Sequence, residues 1–323
     1  MRYLVTGGAG FIGSHLTDHL LAQGHEVVAL DDLSTGTLDN LAGATGDSRF
    51  QLRTGSVCDA AAVRAAMRGV DGVFHLAAAV GVFTILERAL DSLRTNLHGT
   101  ETVLEAAREA GTPVLVASTS EVYGKNTALG LTEGADRIIG SPLTLRWSYA
   151  EAKALDETLA YLYHRELGVP TVVVRPFNTV GPRQTGRYGM VLPRFVDQAL
   201  SGQPLTVFGT GEQVRCFCHV ADVVPALVSL LGDAGCHGQV YNLGSSEQTT
   251  IGQLAKRVLA ATGSASEIVT VPYTDAYPDG YEDMQRRVPD CGLAEQRVGF
   301  AARHGLDEII ESVIADRRAR VTT

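Results

Sequence analysis

Six short runs of almost continuous apolar residues set the frame for this chain: Tyr3–Thr6, Glu26–Leu30, Phe50–Arg53, Gly72–Leu76, Val114–Ser118 and Thr171–Arg175. Helical patterns alternate with them at Ile12–Ala22, Ala60–Met67, Ser92–Ala110 and Tyr149–Leu167. A strand that is apolar at every position, not at every second one, must be covered on both faces. Intervening helices supply that cover, and crossovers of this kind make the strands parallel. The predicted fold class is therefore α/β, a doubly wound parallel sheet. After Arg175 the texture changes, with Gly181-Pro182, Gly186, Gly189, Pro193, Gly202 and Pro204 marking turns between short strands. Residues 1–175 read as the sheet domain and residues 176–323 as a smaller α/β domain. The boundary is soft, because the helix near Ala221–Leu231 has the pattern to pack back on the first sheet.

The loop between the first strand and the first helix reads Gly7-Gly8-Ala9-Gly10-Phe11-Ile12-Gly13. Glycines at such a junction permit a tight turn and let a pyrophosphate approach the backbone, where it rests on the helix N-terminus. An isolated glycine loop is a weak signal, since strand-to-helix turns often contain glycine. Here Asp31 ends the second strand about 20 residues on, as a dinucleotide-binding unit requires. A carboxylate at that point accepts hydrogen bonds from ribose hydroxyls and repels a 2′-phosphate. Asp31-Asp32, with no arginine directly after, predicts NAD in preference to NADP. The plainer reading of the pair is a solvated turn.

The formal net charge is −9 over 323 residues, which argues against nucleic acid or an anionic membrane as a partner. An anionic substrate would need its basic contacts gathered locally. Five cysteines (Cys58, Cys216, Cys218, Cys236 and Cys291) give an odd count and no CxxC pair. That pattern predicts neither zinc nor a disulfide framework, and the expected setting is reduced and cytoplasmic. Cys216 and Cys218 read as the buried face of one strand. The opening MRYLVTGGAGFIG is too short an apolar run for a signal peptide, and no apolar run reaches membrane-spanning length.

Tyr149 and Lys153 lie one helical turn apart on one helix face. A phenol with a reference pKa of about 10 is a poor base at neutral pH. A nearby ammonium and a positively charged nicotinamide ring favour the phenolate, which makes proton abstraction feasible. YxxxK alone arises often by chance, as a half-buried tyrosine and an exposed lysine. Its weight comes from the strand end Val114–Ser118, which delivers Ser118-Thr119-Ser120-Glu121 to the side of the sheet where ligands bind. His75, at the end of an apolar strand, reads as a satisfied core histidine. His219 opens a helix with no evident partner.

Taken together, the glycine loop, HLAA (His75–Ala78), Asn96, ASTSEVYG (Ala117–Gly124), YxxxK and RPFNTVGPR (Arg175–Arg183) resemble the extended short-chain dehydrogenases that act on nucleotide sugars. The resemblance runs over nearly the whole chain. It implies Thr119, Tyr149 and Lys153 as catalytic residues, and a cofactor held by Gly7, Gly10, Phe11, Ile12, Gly13, Asp31, Asp32, Val57, Leu76, Ala77, Ala78, Asn96 and Pro176. It also implies a UDP-linked sugar held by Ser120, Asn178, Arg187, Leu205, Val207, Phe208, Arg215 and Arg287. An arginine fork suits a diphosphate, although either arginine alone reads equally as surface charge. Many relatives carry Asp-Ile or Asp-Val after the third strand, where this chain has Ser56-Val57, with Asp59 close by. Relatives also pair the helices containing Ser92–Ala110 and Tyr149–Leu167 across a two-fold, which implies a homodimer.

Family members share C4 oxidation and then diverge. A 4-epimerase turns the ketone over and needs no further acid or base. A 4,6-dehydratase commonly carries Asp-Glu after the threonine, and here Ser120 replaces the aspartate. A uronic acid decarboxylase uses the C4 ketone as a sink for the electrons left by CO2. Thr119-Ser120-Glu121, together with Arg146-Trp147 ahead of Tyr149, resembles the UDP-glucuronate decarboxylases, with Glu121 as a fourth catalytic residue. The segment Ala78–Phe83 lacks the SPP-type sequence of plant and animal members, so a UDP-sugar 4-epimerase is the alternative. A retired, non-catalytic binding protein would have lost Tyr149 or Lys153, and an NADPH reductase would want a base after Leu30.

Overall fold

The computed structural model describes residues 1–79, 81, 88–186, 189–277 and 282–321. Arg187, Val80, Val82 and Phe83 of the segment Ala78–Phe83, and residues 278–281 lie outside the described residues. The first six strands are β1 Arg2–Thr6, β2 Glu26–Asp31, β3 Phe50–Thr54, β4 Gly72–His75, β5 Val114–Ala117 and β6 Thr171–Pro176. The helices are α1 Phe11–Ala22, α2 Ala60–Ala66, α3 Ala89–Ala110 and α4 Ser148–Leu167. Each differs from its sequence reading by only a few residues at the ends, where hydrogen bonding and not hydropathy sets the limit.

The strands form one parallel sheet in the order β11-β6-β5-β4-β1-β2-β3, where β11 is Gln239–Leu243. That seventh strand was not read from the sequence. It arrives more than sixty residues after β6 with Gln239 and Asn242 interrupting its apolar pattern. The chain order reverses between β1 and β4, and at such a reversal the loops part and leave a crevice at the strand C-termini.

Two apolar layers cover the sheet. On one face Leu16 and Leu20 of α1 pack with Val223, Val224 and Leu227 of the long helix Val220–Gly232. That helix does pack back on the first sheet. On the other face Val103, Leu104 and Ala107 of α3 join Val63 of α2 and Ala160 of α4. A separate core holds the second lobe. It gathers Phe195 from α5 (Val191–Leu200), Leu205 and Val207 from β8 (Leu205–Phe208), and Ile309 and Ile310 from the C-terminal helix Leu306–Val321.

Short strands complete that lobe: β9 Val214–Cys216 lies between β12 Gln248–Thr250 and β14 Arg286–Arg287. Cys216 ends β9 while Cys218 belongs to a different strand, β10 Cys218–His219, which pairs with β7 Thr179–Val180. The two cysteines thus do not share one strand face as expected. Both are fully buried, and burial pushes both thiols up, Cys216 to about 11.

Candidate active site

The nucleotide end of the crevice is built from backbone. Gly7 has φ +70°, and a Cβ there would stand 2.9 Å from the Ala77 nitrogen, so both conformation and space require glycine. A Cβ on Gly13 would lie 2.1 Å from the Gly7 oxygen, so this glycine permits α1 to start against the turn. Gly10, the N-cap of α1, differs: a Cβ there would meet only Gly7, at 3.1 Å, and otherwise open space. No side chain caps α1, and its first turn carries no acid. Free N–H groups facing open space suit a pyrophosphate. Phe11 and Ile12 open the helix and are half-buried.

Asp31 is held in place by its neighbours. Its Oδ2 accepts from Ala9 N at 2.9 Å and its Oδ1 from Leu33 N at 2.8 Å, while the side chain is buried. Burial pushes its carboxyl up, and the backbone N–H groups of Leu33, Ala9 and Gly10 act against that. A carboxylate has about four lone-pair sites, so these backbone donors leave room for a ribose hydroxyl. Asp32 is exposed and caps the turn at Ser34. The plain, solvated-turn reading fits Asp32 and not Asp31.

Of the remaining cofactor residues, Leu76 N and Ala77 N are bound to Thr6, which fixes the loop after β4 beside Gly7. Asn96 is buried, and both ends of its amide are bonded to Ala79, so it acts on that loop and through it. The Val57 side chain is buried under α3 against Gly99. Asp59 caps α2 through Ala61 N and Ala62 N. Ala78, in the loop after β4, and Pro176, at the end of β6, are half-buried.

At the other end Thr119, Glu121, Tyr149 and Lys153 converge. Thr119 caps a 3-10 turn (Ser120–Tyr123) by accepting from Glu121 N, and its hydroxyl also bonds Tyr149. Ser120 is buried in that turn. Burial, Glu121 and Asp156 all push the Tyr149 phenol above its usual range, against Thr119 and Arg146. Lys153 is 2% exposed and donates to Asp156 Oδ2 at 2.9 Å. The ammonium expected to favour the Tyr149 phenolate is thus paired with Asp156, whose own charge opposes that phenolate.

Glu121 is enclosed by cations. Arg146 Nη1 donates to its Oε2 at 2.6 Å, and Arg287 Nη1 stands 3.5 Å from its Oε1. Burial alone would push the carboxyl up, but Arg146 and Arg287 outweigh it and hold Glu121 at about 2. Arg287 is next to Arg215 on paired strands, in register. Arg215 bonds Asp283 at 2.9 Å, and Arg287 donates to Asn178 Oδ1 at 2.6 Å. Burial and then Arg215 bring Arg287 down to about 10. Its Nε is buried and has no acceptor among the described residues.

These groups line a cleft between the lobes that is open to solvent. Four arginines (Arg146, Arg194, Arg215 and Arg287) face two acids (Glu121 and Asp283) there, a local excess of positive charge in an acidic protein. Strand alternation sends Leu205 and Val207 into the second core, so of the residues expected around the base only Phe208 lines the cleft. Arg194 lies 4.0 Å over its ring. The sequence reading did not reach Asp156 or Asp283. His75 is the expected core histidine, with Thr6 and Thr100 hydroxyls on its two nitrogens. His219 does have partners: it accepts from Ala221 N, meets Ser312 and stacks on His304.

Fold and site together define a dehydrogenase relative built on a dinucleotide-binding sheet. The model of the NAD dependent epimerase/dehydratase family matches residues 3–244, and the chain belongs to that family. The UDP-N-acetyl-alpha-D-glucosaminuronate decarboxylase of Bacillus cytotoxicus is 39% identical over 96% of this chain and 97% of its own length. UDP-glucuronic acid decarboxylase 1 of Xenopus tropicalis is 36% identical over 97% of this chain and 71% of its own. Among solved structures, a UDP-glucuronic acid 4-epimerase of Bacillus cereus with UDP-glucuronic acid and NAD has a TM-score of 0.89 at 27% identity, covering 99% of this chain and 100% of its own. NAD is the cofactor of the family, and the Gly10 opening and Asp31 fit it.

Proposed function

We propose that this chain is an NAD-dependent decarboxylase of a UDP-linked hexuronic acid, UDP-glucuronate in the first place. The observation that carries it is Glu121 held between Arg146 and Arg287 beside Thr119 and Tyr149, in a chain 36–39% identical to decarboxylases. NAD, when bound, would supply the acceptor for a hydride from C4 of the sugar and later the donor that returns it. Tyr149 removes the C4 hydroxyl proton, Thr119 orients that hydroxyl, and Lys153 holds the nicotinamide ribose. The C5–C6 bond then breaks, its electron pair passing into the C4 ketone as CO2 leaves. A proton at C5 completes the step before C4 is reduced. Arg146 and Arg287 bind negative charge at this end, and Arg215 with Arg287 meets the diphosphate. Glu121 is ionised at working pH, so it organises these arginines and the incoming proton without storing one. Residues 1–175, with the strand at Gln239–Leu243, carry the cofactor, and most of residues 176–323 close over the nucleotide sugar.

Mass analysis after incubation with NAD tests this. UDP-glucuronate should lose CO2, giving UDP-xylose or its 4-keto precursor. The relation to the Bacillus cytotoxicus enzyme makes UDP-N-acetylglucosaminuronate the second acid to offer. An isomer of unchanged mass from both acids would make the protein a 4-epimerase instead.

Cofactor choice rests on Asp31. NAD should bind at least about tenfold more tightly than NADP, and Asp31→Ala should narrow the gap. Equal affinity of the intact protein for both, by calorimetry, would contradict the assignment. A homodimer through the outer faces of α3 and α4 is part of the same proposal, supported by exposed Leu90, Leu155 and Tyr161. Sedimentation as a monomer at micromolar concentration would remove it.

A further inference from the structure

Lys153 and Asp156 form a pair enclosed in the protein, with side chains 2% and 0% exposed. The second carboxylate oxygen, Oδ1, is buried and has no hydrogen-bond partner among the described residues, so Lys153 is the carboxylate's counter-charge. Replacing such a pair by apolar groups is often tolerated, whereas an ion left without its partner is costly. A pair kept at this depth, one turn from Tyr149, invites an electrical explanation.

We propose that Asp156 is a positioning residue of the site: it fixes the Lys153 ammonium and cancels its charge, so the nicotinamide end of the cleft is balanced between a cationic oxidised cofactor and a neutral reduced one. This rests on reading Tyr149 and Lys153 as the base and its cofactor-binding partner. An enzyme that oxidises C4 and then reduces it must hold both cofactor forms with comparable strength through one cycle. An uncompensated lysine would favour the neutral, reduced form, and an uncompensated aspartate the cationic, oxidised one.

The neighbouring charges leave this balance to Asp156. Facing Lys153 from β4 is His75, which burial and then Lys153 itself hold at about 3, and hence neutral. Tyr149 is faced by Glu121 from the turn after β5 and by Arg146 from the turn before α4, which are paired with each other. Behind Glu121 stand Arg287 on β14 and Arg215 on β9, the latter paired with Asp283. Burial, Glu121 and Asp156 together keep the phenol protonated in the protein alone, which leaves the cofactor's own charge to trigger ionisation.

The test is the ratio of the dissociation constants of NAD and NADH, measured by calorimetry with no sugar present. In Asp156→Asn the ratio should move about tenfold toward NADH, because one negative charge is gone. The acid limb of the kcat profile should move about one pH unit lower, because the same charge no longer opposes the phenolate. An aspartate that served only packing would weaken both cofactor forms alike, and an unmoved ratio with an unmoved acid limb overturns the proposal. If Asp156→Asn does not fold, Lys153→Met with Asp156→Leu replaces the pair by apolar groups. Its ratio should stay within about threefold of the parent's; a tenfold move toward NAD would mean that the deleted lysine had been uncompensated in the parent, and overturns the proposal as well. A parent protein that binds neither cofactor form would sink the functional reading itself, which is a separate outcome.

Discussion

Tyr149→Phe should leave a folded protein that binds NAD at close to the parent affinity and turns over at least about a thousandfold more slowly. The substitution keeps the ring, which is 8% exposed and packed, and deletes only the oxygen. Thr119 loses a hydrogen bond, which costs about 1 kcal/mol of stability, so a thermal melt should fall by a few degrees at most. The rate effect is far larger because no other base stands ready among the described residues. His75 is sealed in the sheet between two threonines, and Glu121 is held at about 2 by two arginines, too weak a base for a sugar hydroxyl. Burial, Glu121 and Asp156 keep the phenol protonated before cofactor arrives, so the reaction should be silent in the absence of NAD. Rapid mixing with UDP-glucuronate while following NADH fluorescence makes the check. A Tyr149→Phe protein that still forms NADH at a tenth of the parent rate would place the proton path elsewhere.

Tyr149 and Lys153 were legible because their partnership is local: four residues on a helix guarantee one face. Gly7, Gly13 and Asp31 were legible for a similar reason, since a strand, a turn and a helix fix them within about thirty residues of one another. The strands emerged from hydropathy alone, except Gln239–Leu243, whose polar Gln239 and Asn242 are used at a sheet edge and against Tyr123 and Leu131. What sequence reading missed lies mostly in long-range pairing. Arg146 and Arg287 meet Glu121 from 25 and 166 positions away, and nothing local tells that their charges converge. Leu205 and Val207 were misjudged because alternation shows that a strand has two faces but not which one meets the ligand. Asp156 lies at i+3 from Lys153, but that spacing is equally common in exposed helix pairs, and only the packing shows that this one is enclosed.

Glu121→Gln is expected to separate oxidation from carbon–carbon cleavage. Glutamine keeps the length and can still accept from Arg146, but it removes the charge that holds Arg146 and Arg287 to one point. Two buried arginines then face each other with less compensation, and Arg287, already brought down to about 10 by burial and Arg215, has lost its nearest acid. The substrate carboxylate should fill that gap and bind more tightly, pinned in a state where it is slow to leave as CO2. The C4 hydroxyl, Thr119 and Tyr149 are untouched, and removing Glu121 also removes a charge that opposes the Tyr149 phenolate. NADH should therefore still form in a single turnover, at or above the parent rate, while CO2 release falls about a hundredfold or more. KM for UDP-glucuronate should fall with kcat, the sign that strain or repulsion in the bound acid has been lost. The pH profile adds a sign. With Glu121 ionised down to about pH 2, the parent should show no loss of activity from this group between pH 5 and 8, so any acid limb there belongs to another residue. Trapping CO2 and NADH in the same quenched-flow experiment gives both rates at once. Parent-like CO2 release from Glu121→Gln would make the carboxylate a bystander, and equal losses in oxidation and cleavage would make it a support for the whole site instead of for the second step.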